Sequence, residues 1–207
     1  FYHAPDVSFT LDGGTRKVAI AIGSGWQAHP LDDVVVDRFF LIKNEDVTER
    51  PIDANGAPDY VKLTESDLYD ATDNHLGHVS AVNTTAQQVQ AYLDYARAEG
   101  WYITLERPGE KVLASSLTVN NELFFTTYEP TPNTSGCNIS AGTPRIFHIN
   151  LGNATPINNY DGIGKDTELT APDREYKLKT TSLPTTPQRL RVDGKDQLCI
   201  GTECQQL

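Results

Sequence analysis

Methionine is absent from all 207 residues, cysteine occurs three times and tryptophan twice. With no methionine and opening residues Phe1-Tyr2-His3-Ala4-Pro5 that read as mid-domain sequence, the chain is expected to be a processed or truncated part of a longer protein. A mature secreted chain that has lost its leader is the alternative. Cations are also scarce: 17 Lys and Arg stand against 28 Asp and Glu, a net charge of -11. Such a chain repels a phosphate backbone, so nucleic acid is excluded as an expected partner. Long apolar runs are missing too. No stretch approaches the roughly 20 residues that a membrane-spanning helix needs, and no basic-then-apolar leader opens the chain. The three thiols lack a second close Cys or His pair, which argues against a zinc site. Cys199 and Cys204 enclose Ile200-Gly201-Thr202-Glu203, and a disulfide across that turn is sterically plausible. Cys137 would then be unpaired or bonded outside the chain.

What is present is a 38% hydrophobic content, enough for a core in one or two domains. Residues 16–22 alternate and end in Gly23-Ser24-Gly25, predicting a strand closed by a glycine turn. The apolar residues between Val34 and Ile42 predict a second strand buried on both faces. Between Asn44 and Asn74, nine acidic side chains against two basic ones, with Pro51, Gly56 and Pro58, predict a surface excursion. One amphipathic helix is expected at 86–99. Thr85 and Gln88 have capping-box spacing, Val89, Tyr92, Leu93 and Ala96 form an apolar stripe, and Gly100 supplies a left-handed stop. Further strands are expected at 101–106, 145–151, 175–180 and 189–192. A hairpin of 111–119 with 122–128 should turn at Asn120-Asn121. The pattern is all-β with one inserted helix, without a repeat of blade length.

Several stretches carry a resemblance. The run Ala19-Ile20-Ala21-Ile22-Gly23-Ser24-Gly25-Trp26 leading to Asp37-Arg38-Phe39-Phe40-Leu41-Ile42 is followed by Asp67-Leu68-Tyr69-Asp70-Ala71-Thr72-Asp73-Asn74 and Gly100-Trp101-Tyr102. After these come Gly109-Glu110-Lys111-Val112-Leu113, Phe124-Phe125-Thr126-Thr127-Tyr128 and Cys199-Ile200-Gly201-Thr202-Glu203-Cys204. In this order and spacing, the chain resembles the C-terminal β-propeller of PilC/PilY-family adhesins found at type IV pilus tips. The resemblance implies that residues 1–207 are the C-terminal part of a quinoprotein-like propeller, incomplete without upstream blades. It also implies a bacterial protein secreted to the cell surface, outer membrane or pilus tip. There it would act without catalysis in pilus extension against retraction, attachment and twitching motility. Minor pilins at the tip and a host or abiotic surface ligand are the implied partners. The extracellular setting favours the Cys199–Cys204 disulfide. The enzymatic alternative is a quinoprotein dehydrogenase binding a quinone and calcium, which the two tryptophans serve poorly. A generic ligand- or glycan-binding propeller is the third reading.

Candidate sites compete with ordinary structural roles. Counting from Ile157, Asn159, Asp161, Gly162 and Glu168 fall at EF-hand positions, but Ile157 replaces the first oxygen ligand. A polar turn accounts for the same residues. Calcium is a cofactor that the resemblance permits, although no D-x-D-x-D run is present. Asp70, Asp73 and Asn74 form a second oxygen-rich patch, or else cap and solvate a turn beginning near Thr64. His75 and His78 would share a face on a helix, but Gly77 favours a loop. Ser24 lacks the G-x-S-x-G setting of a hydrolase nucleophile and its glycines lack a dinucleotide pattern. Asp32 and Asp33, adjacent on an extended chain, point apart and cannot act as an acid–base pair. The aromatic residues are core candidates, with Tyr128 the one expected near an exposed loop at 129–140. Asn83, Asn133, Asn138 and Asn153 begin Asn-x-Ser/Thr triplets, which would mark surface loops if glycosylated.

Overall fold

The computed structural model describes residues 1–45, 50–60, 62–131 and 142–206. The fold is all-β, with three sheets, none closed into a barrel. The first sheet has the order β1-β2-β3-β5-β4, from Asp6–Asp12, Thr15–Gly23, Arg38–Asn44, Gly100–Thr104 and Tyr69–Asp70 respectively. Its pairings are antiparallel except for the short parallel β4–β5 contact. The second sheet runs β10-β9-β8-β6, from Glu175–Lys177, Thr143–Asn150, Glu122–Glu129 and Lys111–Val112, with β7 (Leu117–Val119) also paired to β8. The third is a meander of β11 (Gln188–Val192), β12 (Lys195–Ile200) and β13 (Glu203–Gln206).

The three sheets pack face to face in series. Ala19, Ala21, Phe39, Leu41, Trp101 and Ile103 of the first sheet meet Leu123, Phe125, Phe147 and Ile149 of the second. Rings carry this interface: Phe39 lies on Phe125 at 3.8 Å between centroids and Phe125 on Phe147 at 4.5 Å. Trp101 is fully buried and its indole N–H donates to the Leu151 carbonyl at 3.0 Å, so its polar edge is satisfied. The alternate residues of the second sheet, Phe124 and Ile146, face Leu198 and Ile200 of the third. The central strands β8 and β9 therefore carry buried apolar residues on both faces, because both are covered.

Local structure departs from the sequence expectations at definable points. The strand expected from Val34 begins at Arg38, and Val34, Val35 and Val36 are exposed in the preceding loop. High β-propensity did not make them a strand because no neighbour pairs with them. The helix α1 spans Thr85–Tyr95 and not 86–99. Its capping box lies one residue earlier, between Thr84 and Gln87. Val89, Tyr92 and Leu93 remain half exposed, and Ala91 is the buried residue. Gly100 is not the helix stop; it opens β5 at φ 150°, where a Cβ would stand 2.0 Å from the Leu41 carbonyl oxygen. The expected strand at 111–119 is interrupted between β6 and β7. Asn120 and Asn121 turn the β7–β8 hairpin with φ of 52° and 67°, the left-handed pair that a two-residue turn requires.

Candidate functional site

Several of the motif residues meet at the junction between the first and second sheets, where they serve as ties, while the Cys199–Cys204 motif lies in the third sheet. Gly23 and Gly25 let two backbones approach. A Cβ on either would lie 2.4 Å from an atom of Val112, whose N–H donates to the Ser24 carbonyl at 3.0 Å. The Ser24 hydroxyl donates to Asp37 at 2.7 Å and accepts the Arg38 N–H at 2.8 Å, so it is engaged in holding the turn. Lys111 is buried, and its ammonium donates to the carbonyls of Pro30 and Asp32. Burial pulls its pKa down, opposed by the charges of Asp37, Asp32 and Asp33.

Beside it, Arg107 donates to both Glu110 and Glu175, and Arg145 pairs with Glu129 at 2.7 Å and with Glu175 at 3.5 Å. Thr127 completes the cage with a 2.6 Å hydrogen bond to Glu110. Burial raises the Glu175 pKa, against the opposing hydrogen bond and charge of Arg107. Satisfied on several sides, these carboxylates are fixed in place. Arg174 is also buried, donating to the Ala71 and Thr72 carbonyls and to Asn74 at 2.7–3.0 Å. Burial pulls its guanidinium down to about 10, with Tyr69, Asp73 and Asp70 opposing. The clamp fixes the 70–74 turn, in which Asn74 has a φ of 58° and Asp70 accepts from Thr72 and from the Tyr102 hydroxyl. Asp70, Asp73 and Asn74 are thus separate from the 3-10 turn Glu65–Asp67, which Thr64 and Asp67 cap themselves.

In the calcium-like segment, Asn159 accepts the Gly162 N–H at 2.8 Å, Asp161 accepts the Ile163 N–H at 2.7 Å, and Glu168 pairs with Lys165 at 2.8 Å. The turn is organised around the buried Asp173, whose carboxylate accepts the N–H groups of Tyr160, Asp161 and Thr170. Burial pushes the Asp173 pKa up, but these hydrogen bonds win and hold it below the ordinary value. Among the described residues, no group of three or more His, Cys, Asp and Glu side chains is arranged to hold a metal ion. His75 and His78 lie in a loop whose carbonyls are gathered by the Asn83 amide at 3.1–3.4 Å. Asn83 itself is buried, so it does not mark a surface loop. Tyr128 is likewise buried, not exposed, and its hydroxyl accepts the Gly142 N–H at 2.8 Å. Trp26 is the reverse, being 47% exposed against His29 instead of in the core. Cys137, Asn133, Asn138 and most of the 129–140 loop lie outside the described residues.

Cys199 and Cys204 are a directly opposed cross-strand pair of the β12–β13 hairpin and are disulfide-bonded. The Gly201-Thr202 turn between them sets the register that brings the sulfurs together.

One exposed feature was not anticipated from the sequence. The outward face of the first sheet carries Val7, Phe9 and Leu11 of β1, Val18, Ile20 and Ile22 of β2, and Phe40, Ile42 and Tyr102 beyond them in register. Val7, Phe9 and Leu11 are 61, 67 and 74% exposed, while Ser8 and Thr10 of the same strand point inward. An edge strand that faces water normally shows the opposite pattern. The alternation in Asp6-Val7-Ser8-Phe9-Thr10-Leu11 was the signal, but its direction depends on which face is covered. Among the described residues, Phe1 meets this face against Phe40 at 5.9 Å, and Pro51, Tyr60 and Leu63 line a cavity with its Ile20 and Ile42.

Compared with protein-family models, characterised proteins and solved structures, the chain has no match in any of the three.

Proposed function

We propose that this chain is part of a β-propeller of a type IV pilus tip factor similar to the PilC/PilY family, acting by binding and assembly and not by catalysis. The observation that carries the reading is the serial stack of mainly antiparallel sheets, with several of the resemblance-bearing residues meeting at the junction of the first two. Blades of a propeller pack in this way, each covering the face of the next. In this reading the apolar outward face of the first sheet is covered by another blade. Ser24, Asp37, Glu110, Lys111 and Arg174 supply rigidity, since each is spent on holding a neighbouring segment. A stiff scaffold of this kind presents loops as the binding surface, and the acidic excursion at 44–74 is the foremost candidate. Its excess of carboxylates suits a cationic or hydrogen-bond-donating surface ligand.

Deletion of the encoding gene in its native host, with pili counted by electron microscopy, tests the role. Loss of surface pili that is reversed when retraction is disabled is the expected outcome. Normal pili and normal twitching would overturn it.

A further inference from the structure

The second and third sheets meet at a polar cluster that the binding reading leaves unused. His148 of β9 is 3% exposed and lies flat on Phe124, with ring centroids 4.2 Å apart. Its Nε2 is 2.7 Å from a carboxylate oxygen of Glu122, on the neighbouring strand β8. Its Nδ1 is 2.6 Å from the Tyr160 hydroxyl and 3.3 Å from the Asn158 side-chain nitrogen. Asn158 also donates to the Tyr160 hydroxyl at 3.2 Å, and the Gln205 side chain of β13 stands near the same hydroxyl, drawing its pKa down against the upward pull of burial. Tyr176 of β10 closes the cluster, 4.7 Å from the Tyr160 ring.

These partners assign the protons. Ionised Glu122 only accepts, so Nε2 carries the hydrogen and Nδ1 offers its lone pair to the Tyr160 O–H. The Tyr160 oxygen in turn accepts from Asn158 at 3.2 Å. Both ring nitrogens of His148 are paired when the imidazole is neutral. A second proton on Nδ1 would deprive the Tyr160 O–H of its acceptor and point at the N–H group of Asn158. The titratable groups around the ring are Glu122 from β8, Tyr160 from the 157–163 turn and Tyr176 from β10, with Glu203 of β13 acting on Tyr176. Of these, Glu122 favours the imidazolium, but its side chain is 37% exposed and screened by water.

We propose that Glu122, His148, Asn158, Tyr160 and Gln205 form a proton-sensitive latch that fastens the 157–163 turn and the third sheet onto the second at neutral pH and slackens in acid. Burial lowers the pKa of His148, and the Glu122 hydrogen bond and charge only partly offset this. A histidine depressed in the folded state contributes stability that is present above its unfolded pKa of about 6.5 and is lost as pH falls through the folded value.

Hydrogen exchange on the full chain at about pH 7.5 and about pH 5.5, corrected for intrinsic rates, tests the latch, with NMR titration of the His148 ring alongside. We expect roughly tenfold faster exchange at 158–163 and along β12–β13 in acid, with β1–β2 unchanged as the internal reference. Asn158→Asp places an acceptor where the amide donates, so it should raise the His148 titration point and keep both regions protected at the lower pH. Glu122→Gln should move that titration point down. Equal protection of wild type at both pH values would overturn the proposal, as would loosening of the β1–β2 reference to the same extent. An upward shift of the titration point in Glu122→Gln would also overturn it. Because the wild-type comparison stands alone, a variant that fails to fold leaves the test decisive.

Discussion

The two ends of the sheet stack differ in what their free faces are made of. At one end, the first sheet turns Val7, Phe9, Leu11 and the residues in register with them outward, while the polar side chains of β1 point in. At the other end, the third sheet turns Leu198 and Ile200 inward. In β-sheet register, Gln188, Leu190, Val192, Lys195, Gln197 and Gln206 then share its outward face with the Cys199–Cys204 pair. The first end is apolar across several strands, whereas the second mixes amide, charged and two half-exposed apolar side chains. A small meander with a mixed outer face buries little on its own, and the disulfide offsets that by constraining the unfolded chain. The first sheet has no such staple; it shares the aromatic core with the second sheet and has a further apolar face left over.

Four experiments would break or sharpen this contrast. Phe125→Ala removes the middle ring between Phe39 and Phe147 and should cost about 3–5 kcal/mol in denaturant unfolding, loosening the first and second sheets together. Arg174→Met leaves the Ala71 and Thr72 carbonyls without donors, although it also removes a buried charge that has no carboxylate within ion-pair distance among the described residues. We expect a loss of about 2–3 kcal/mol, with faster hydrogen exchange confined to residues 70–74 and β4–β5. Cys199→Ser should cost about 2 kcal/mol by the loop-entropy relation, and its effect should stay within the third sheet. A fall in protection of the first sheet in that variant would contradict the independence of the two ends. The triple variant Val7→Thr, Phe9→Thr, Leu11→Thr should leave the stability of the isolated chain within about 0.5 kcal/mol and lower its binding of an apolar dye. A larger loss of stability would mean that this face is already packed and that the two ends are not so different.

Legibility in the sequence followed how local each signal was. The turn at Asn120-Asn121 and the strands through Phe39, Trp101 and Phe125 were readable because their patterns are set within a few residues. The helix was readable in kind but misplaced at both ends: Thr84 and Thr85 both offer a capping hydroxyl, and Gly100 has a positive φ for a strand contact. Val34, Val35 and Val36 misled because a propensity for strand is only realised beside a partner. Of the candidate site residues, Ser24 was legible as turn chemistry, whereas its partner Asp37 fell inside the expected strand. Glu122, His148 and Tyr160 were not, since the residues that meet are separated by 26 and 12 positions and no local spacing announces them.

By itself the sequence determined that the chain is strongly acidic, contains no apolar run long enough for a spanning helix and alternates as β-strands, because charge and periodicity are properties of composition and neighbours. The tertiary structure alone decided which side of each strand is covered. That choice made Lys111 and Arg174 internal clamps, turned Val7, Phe9 and Leu11 outward and closed the ring of partners around His148. Burial depends on what packs against a face, and this cannot be read from the face alone.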